Sequence, residues 1–81
     1  MTTSTLQHVI DALHELEQDT LLPKNIKNTV TQSLSILQSA EEIRVRVHKA
    51  LAALESVSED ANIEPFTRTQ LWNVVSLLEA I

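Results

Sequence analysis

The chain has 81 residues, a formal net charge of −5, no glycine and no cysteine. Its length allows one domain, residues 1–81, near the size where a single core begins to suffice without staples or association. Without cysteine there are no disulfides and no thiolate zinc sites. Without glycine, phosphate-cradling loops, dinucleotide-binding turns and nucleophile elbows cannot be built in their usual form.

The first helix is predicted to start at Ser4, where Ser4 and Gln7 have capping-box spacing. Leu6, Val9, Ile10, Leu13 and Leu16 follow at helical spacing and form one apolar stripe, which fades over residues 17–20. Pro23 suits the first turn of a second helix, because its missing N–H costs nothing there. Ile26, Val30, Leu34 and Leu37 form the stripe of that helix.

Ser39 and Glu42 repeat the capping-box spacing, so the third helix is expected to begin at Ser39. Its apolar face is Ile43, Val47, Ala50, Leu51, Leu54 and Val57. The pattern breaks at residues 58–62, where Asn62 is the expected left-handed residue in a chain without glycine. The fourth helix starts at Pro65, or at Thr67 with Gln70 as its capping partner, and is expected to run to Ile81 with no tail beyond it.

These elements predict an all-α fold, a four-helix bundle built as two antiparallel helical hairpins. Shifted by about 40 residues, the length of a two-helix solenoid repeat, the halves coincide. Leu6, Ile10, Leu13 and Leu16 fall on Val47, Leu51, Leu54 and Val57, while Val30, Leu34 and Leu37 fall on Leu71, Val75 and Leu78. The result is a HEAT-like pseudo-repeat, although two amphipathic hairpins of any origin match comparably.

The fourth helix carries two apolar stripes. Leu71, Val75 and Leu78 form one, widened by Trp72; Val74, Leu77 and Ile81 form the other, extended by Phe66. So broad a surface exceeds one seam of a small bundle, and Phe66, Trp72, Val74, Leu77 and Ile81 are the expected interface. The competing reading places Trp72 in the core.

His8, Asp11 and Glu15 project from one side of the first helix and are the one candidate metal set, against the plainer reading of a solvated face. Asp11 and His14 have the carboxylate-x-x-His spacing of bundle di-metal sites, but no second such motif accompanies them. Glu41-Glu42 and Glu59-Asp60 are sequence neighbours at helix ends, not carboxylates facing across a cleft. No catalytic residue and no cofactor are expected.

Lys and Arg are outnumbered by Asp and Glu in both halves, which argues against a nucleic-acid partner. A local patch of Arg44, Arg46 and Lys49 is the exception. Arg46 is expected to pair with Glu59 or Asp60, and Arg68 to stack on Trp72 four residues on. Arg46, Asn62, Pro65, Arg68 and Asn73 are the expected structural polar and turn residues, with Asn73 reaching the backbone of a facing loop. No apolar run is long enough to span a membrane, and the N-terminus has no secretory signal.

Three blocks resemble a small archaeal family known as uncharacterised protein family 0147. Pro23-Lys24-Asn25-Ile26-Lys27 is similar to its Pro-Arg-Asn-Ile-Arg turn, and Arg44-Val45-Arg46-Val47 to a Val-Arg stretch early in its third helix. The third block is Glu59-Asp60-Ala61-Asn62-Ile63-Glu64-Pro65, followed by Arg68-Thr69 and by Leu71-Trp72-Asn73. Ala61 stands in place of the family's loop proline, and Lys24 and Lys27 in place of arginines, which removes the bidentate fork. The resemblance implies a compact all-helical protein with no assigned activity.

The expected function is a non-catalytic helical interaction module in the cytoplasm, a homo-oligomer or a subunit bound to another protein. The alternatives are a small metal- or anion-binding regulator and a ribosome- or nucleic-acid-associated factor using the basic patch.

Overall fold

The computed structural model describes residues 2–81, with side chains from Thr5 onward. It contains four α-helices: α1 (Thr2–Glu17), α2 (Lys24–Leu37), α3 (Ile43–Ser58) and α4 (Pro65–Glu79). Among the described residues there is no strand. Segments 18–23, 38–42 and 59–64 join the helices.

The predicted stripes become the core. α1 contributes Val9, Leu13 and Leu16, α2 contributes Ile26, Val30, Leu34 and Leu37, and α3 contributes Val47, Ala50 and Leu54. α4 adds Leu71, Val74 and Leu78, and the loop residues Leu22 and Ile63 close the end of the bundle where the first and third connections lie. All these side chains are aliphatic. Truncating a fully buried leucine among them, such as Leu13, is expected to cost about 2–5 kcal/mol.

The helices close into a ring. α1 packs on α2, α2 on α3, α3 on α4, and α4 back on α1, while the backbones of the diagonal pairs are not neighbours. A stacked helix-pair array would lay α1 on α3 and α2 on α4; here each helix has its two ring neighbours instead. The Cα radius of gyration, 11.7 Å, equals the roughly 12 Å of a tightly packed chain of this length.

Several predicted boundaries move. α1 begins at Thr2, so Ser4 lies inside the helix, and the Gln7 amide donates forward to Asp11 Oδ1 at 2.9 Å instead of reaching back. α3 begins at Ile43, with Glu42 as its N-cap. Ser39 belongs to the preceding helix end, where its N–H and its Oγ both donate to the Ile36 carbonyl, at 3.2 and 2.8 Å. Pro23 is the N-cap of α2, one residue outside the helix.

Asn62 is not left-handed: among the described residues no non-glycine residue has positive φ. Asp60 builds that turn. Its N–H donates to the Val57 carbonyl, its own carbonyl accepts from Ile63 N–H, and its Oδ1 accepts from Asn62 N–H at 2.8 Å. A short carboxylate that can accept from the backbone two residues on does the work glycine would otherwise do. Pro65 does open α4, as its first residue. The helix stops at Glu79, with Ala80 as its cap, short of the expected end at Ile81.

Candidate interaction surface

Two arginines, each in the first turn of its helix, fix the joints on which the surface rests. Arg46 does not reach Glu59 or Asp60. Its Nη1 donates to the Leu37 carbonyl at the end of α2, at 2.8 Å. Arg68 Nη2 donates to the Asp60 carbonyl, also at 2.8 Å, so its guanidinium is engaged by the loop backbone, not by Trp72. Each half-buried arginine thus supplies a charge-assisted donor to a carbonyl at a chain reversal. Asp60 Oδ2 lies 3.4 Å from Asn25 Nδ2 at the start of α2, which ties the two reversals at that end together.

Near the same reversals α4 exposes Phe66, 73% accessible, and Trp72 lies further along the helix at 54%. These are the only aromatic side chains in the protein. Trp72 is therefore surface, not core. Val74 goes the other way: it is 1% accessible and belongs to the core, not to an interface. Leu77 and Ile81 are half-buried against the core.

At about 100° per residue, Leu77 returns close to the direction of Phe66, whereas Trp72 lies about a third of a turn away. The expected interface set is thus split. The core takes Thr67, Leu71, Val74 and Leu78, a line between the two predicted stripes, and leaves the aromatics on opposite flanks. Trp72 shares its flank with Glu79, seven residues and nearly two full turns on.

Beside Glu79 lies a groove of about 540 Å³ between the first half of α3 and the last turn of α4. Ile43, Val47, Leu51, Leu78 and Ile81 give it apolar walls, and Arg44, His48 and Glu79 stand at it as polar residues. Among the described residues, Arg44 and His48 make no side-chain hydrogen bond or ion pair. Lys49 is engaged by Glu41, with Nζ–Oε1 at 3.0 Å. The expected basic patch is therefore dismantled: Arg46 is bound to backbone, Lys49 is paired, and Arg44 keeps company with His48. A second hollow, about 70 Å³, separates Asp19, Leu21 and Pro23 from Asn62, Glu64 and Thr67.

The remaining candidates stay dispersed. His8, Asp11 and Glu15 are all exposed, and Asp11 accepts from Gln7. Their seven-residue span covers about 10 Å of helix axis, too long for one ion with bonds of about 2 Å. Among the described residues, no three His, Asp or Glu side chains are placed to hold a metal ion. Glu41 faces Lys49, and Glu59 is the C-cap of α3. Asn73 is exposed, and no hydrogen bond joins its side chain to a loop among the described residues. No residue pattern signals the carbonyl partners of Arg46 and Arg68, because both are tertiary contacts to backbone. The Arg44–His48 ridge was within reach of a wheel projection, since an i,i+4 pair shares a helix face.

No helix of the described residues is long and apolar enough to cross a membrane. These features define a small all-helical protein with an aliphatic core and an aromatic surface. Across residues 1–81 the sequence matches the uncharacterised protein family UPF0147, and the chain belongs to that family. It is 41% identical over 78 residues to a UPF0147 protein of Pyrococcus furiosus, covering 94% of this chain and 84% of the relative. A Thermococcus kodakarensis UPF0147 protein is 36% identical over 78 residues, covering 94% of each chain. The fold is similar to the crystal structure of a UPF0147 protein from Thermoplasma acidophilum, with a TM-score of 0.91, 32% identity, and coverage of 96% of this chain and 93% of that one. A crystal structure of another protein of unknown function has a TM-score of 0.90 at 35% identity, covering 98% and 91%.

Proposed function

We propose that this chain is a non-catalytic helical interaction module of the cytoplasm, working as a homo-oligomer or as a subunit of a larger assembly. One observation carries the reading: the sole Phe and the sole Trp both stand on the surface of α4, while the buried side chains include no aromatic ring. Aromatic side chains carry the largest apolar surfaces, and tryptophan is enriched at binding hot spots. The scatter of histidines and carboxylates over exposed helix faces supports a non-catalytic role. The engagement of Arg46 and Lys49 within the chain counts against nucleic acid, which is held by arrays of free cations.

The test is purification of the chain at its natural abundance, read by native mass spectrometry, beside Phe66→Ser and Trp72→Ser variants whose helix content is checked by circular dichroism. A stoichiometric partner or a second copy, lost in at least one folded variant, is the expected result. A wild type found alone overturns the reading.

A further inference from the structure

We propose that the α3–α4 groove receives Trp72 of a second copy, so that two chains dock through α4 about a two-fold axis and each indole enters the other's groove. This names the partner within the interaction-module reading and rests on it.

The first argument is register. Trp72 and Glu79 share one flank of α4, seven residues apart, and Glu79 stands at the groove. Let two α4 helices cross antiparallel with the axis level with Val75 and Ser76. Position 72 of each copy then faces position 79 of the other, in both directions at once. Such reciprocity is what an isologous contact requires. Ser76, exposed and small, lets the helices approach at the crossing.

The second argument is charge. At −5, two copies repel over most of their surfaces. At the groove that repulsion is relieved: of the acidic residues only Glu79 lines it, opposite Arg44 and His48. An indole matches those groups. Its ring face attracts a guanidinium, its N–H donates to a carboxylate, and its body fills an apolar trough. Arg44 lacks an acceptor within the described chain, so it is free to sit over the ring. At about 540 Å³ the groove falls within the roughly 300–1,000 Å³ of sites that take small organic ligands, ample for one side chain.

Trp72 is the only tryptophan, so its emission reports the docking directly. Raising the wild-type concentration through the micromolar range is expected to shift emission to the blue and reduce acrylamide quenching, in step with dimer formation in sedimentation equilibrium. Trp72→Ala and Arg44→Glu replace exposed side chains and should both fold. Trp72→Ala is expected to weaken self-association about tenfold or more. Mixing the two variants should associate more tightly than either alone, because the mixed pair regains one intact indole-in-groove contact. Dimers that survive Trp72→Ala, or whose indole stays as quenchable as in the monomer, overturn the proposal. A chain that remains monomeric yet binds a different protein overturns the self-docking and leaves the interaction-module reading standing. A chain that binds nothing overturns both.

Discussion

Arg46 Nη1 donates to the Leu37 carbonyl at 2.8 Å, and with that bond the first turn of α3 is fastened to the last turn of α2. Arg68 repeats the device one reversal later, on the Asp60 carbonyl. Hydrogen bonds to charged donors contribute about 1.5–3 kcal/mol when their partners are partly buried. Arg46→Met keeps most of the apolar stem and removes the donor. It should lower the urea midpoint by the equivalent of about 2 kcal/mol with an unchanged denaturant slope. Arg46→Lys should recover only part of the loss, since a point charge on a flexible stem replaces a planar fork.

Asp60 and Asn62 are two residues apart and should respond differently. Asp60 accepts through its carboxylate from Asn62 N–H and from Asn25, while Asn62 occupies an ordinary backbone conformation. Asp60→Ala is therefore expected to cost about 1–2 kcal/mol in thermal or urea unfolding. Asn62→Ala should stay within about 0.5 kcal/mol of wild type. Equal losses at the two positions would contradict this assignment of the turn.

Val74 and Phe66 separate core from surface on one helix. Val74→Asp places a carboxylate at a site that is 1% accessible, and should abolish the cooperative unfolding transition or shift it by several kcal/mol. Phe66→Ser removes an exposed ring and should leave monomer stability within about 0.5 kcal/mol. Differential scanning calorimetry on both variants at low protein concentration checks the contrast.

Folding is expected to be independent of metal. Among the described residues the buried side chains include no His, Asp or Glu, and the exposed His8, Asp11 and Glu15 are spread along α1. Exhaustive chelation should leave helical circular dichroism unchanged, whereas a large loss of helix would show that a bound ion holds the bundle.

The apolar periodicity of α1, α2 and α3 was readable because burial repeats with the helix itself: Val9, Leu13 and Leu16 are three or four residues apart, as are Ile26, Val30, Leu34 and Leu37. α4 was harder, since its apolar residues outnumber the places in one seam. Only packing against α1 and α3 selects Val74 for the interior and leaves Trp72 outside. The capping box misled at Ser39 because a hydroxyl near a helix end can serve whichever turn lies nearest, and at Ser4 because α1 begins two residues earlier. Arg44, Arg46 and Lys49 read as one patch by closeness in sequence, although alternate residues on a helix point about 200° apart. What the site requires, the Leu37 and Asp60 carbonyls and the groove beside Leu78, is made by elements meeting in space.

The closed ring orders assembly in time. Three of its four helix contacts join sequence neighbours through short connections, and the fourth, α4 on α1, spans the length of the chain. Mostly local contacts favour rapid folding, and the long closure adds the largest loop entropy. The α1–α2–α3 meander is expected to form first and α4 to dock last. Truncations at Leu71 should then speed unfolding while leaving the folding limb of the chevron nearly unmoved, and truncations at Val30 or Leu34 should slow folding itself.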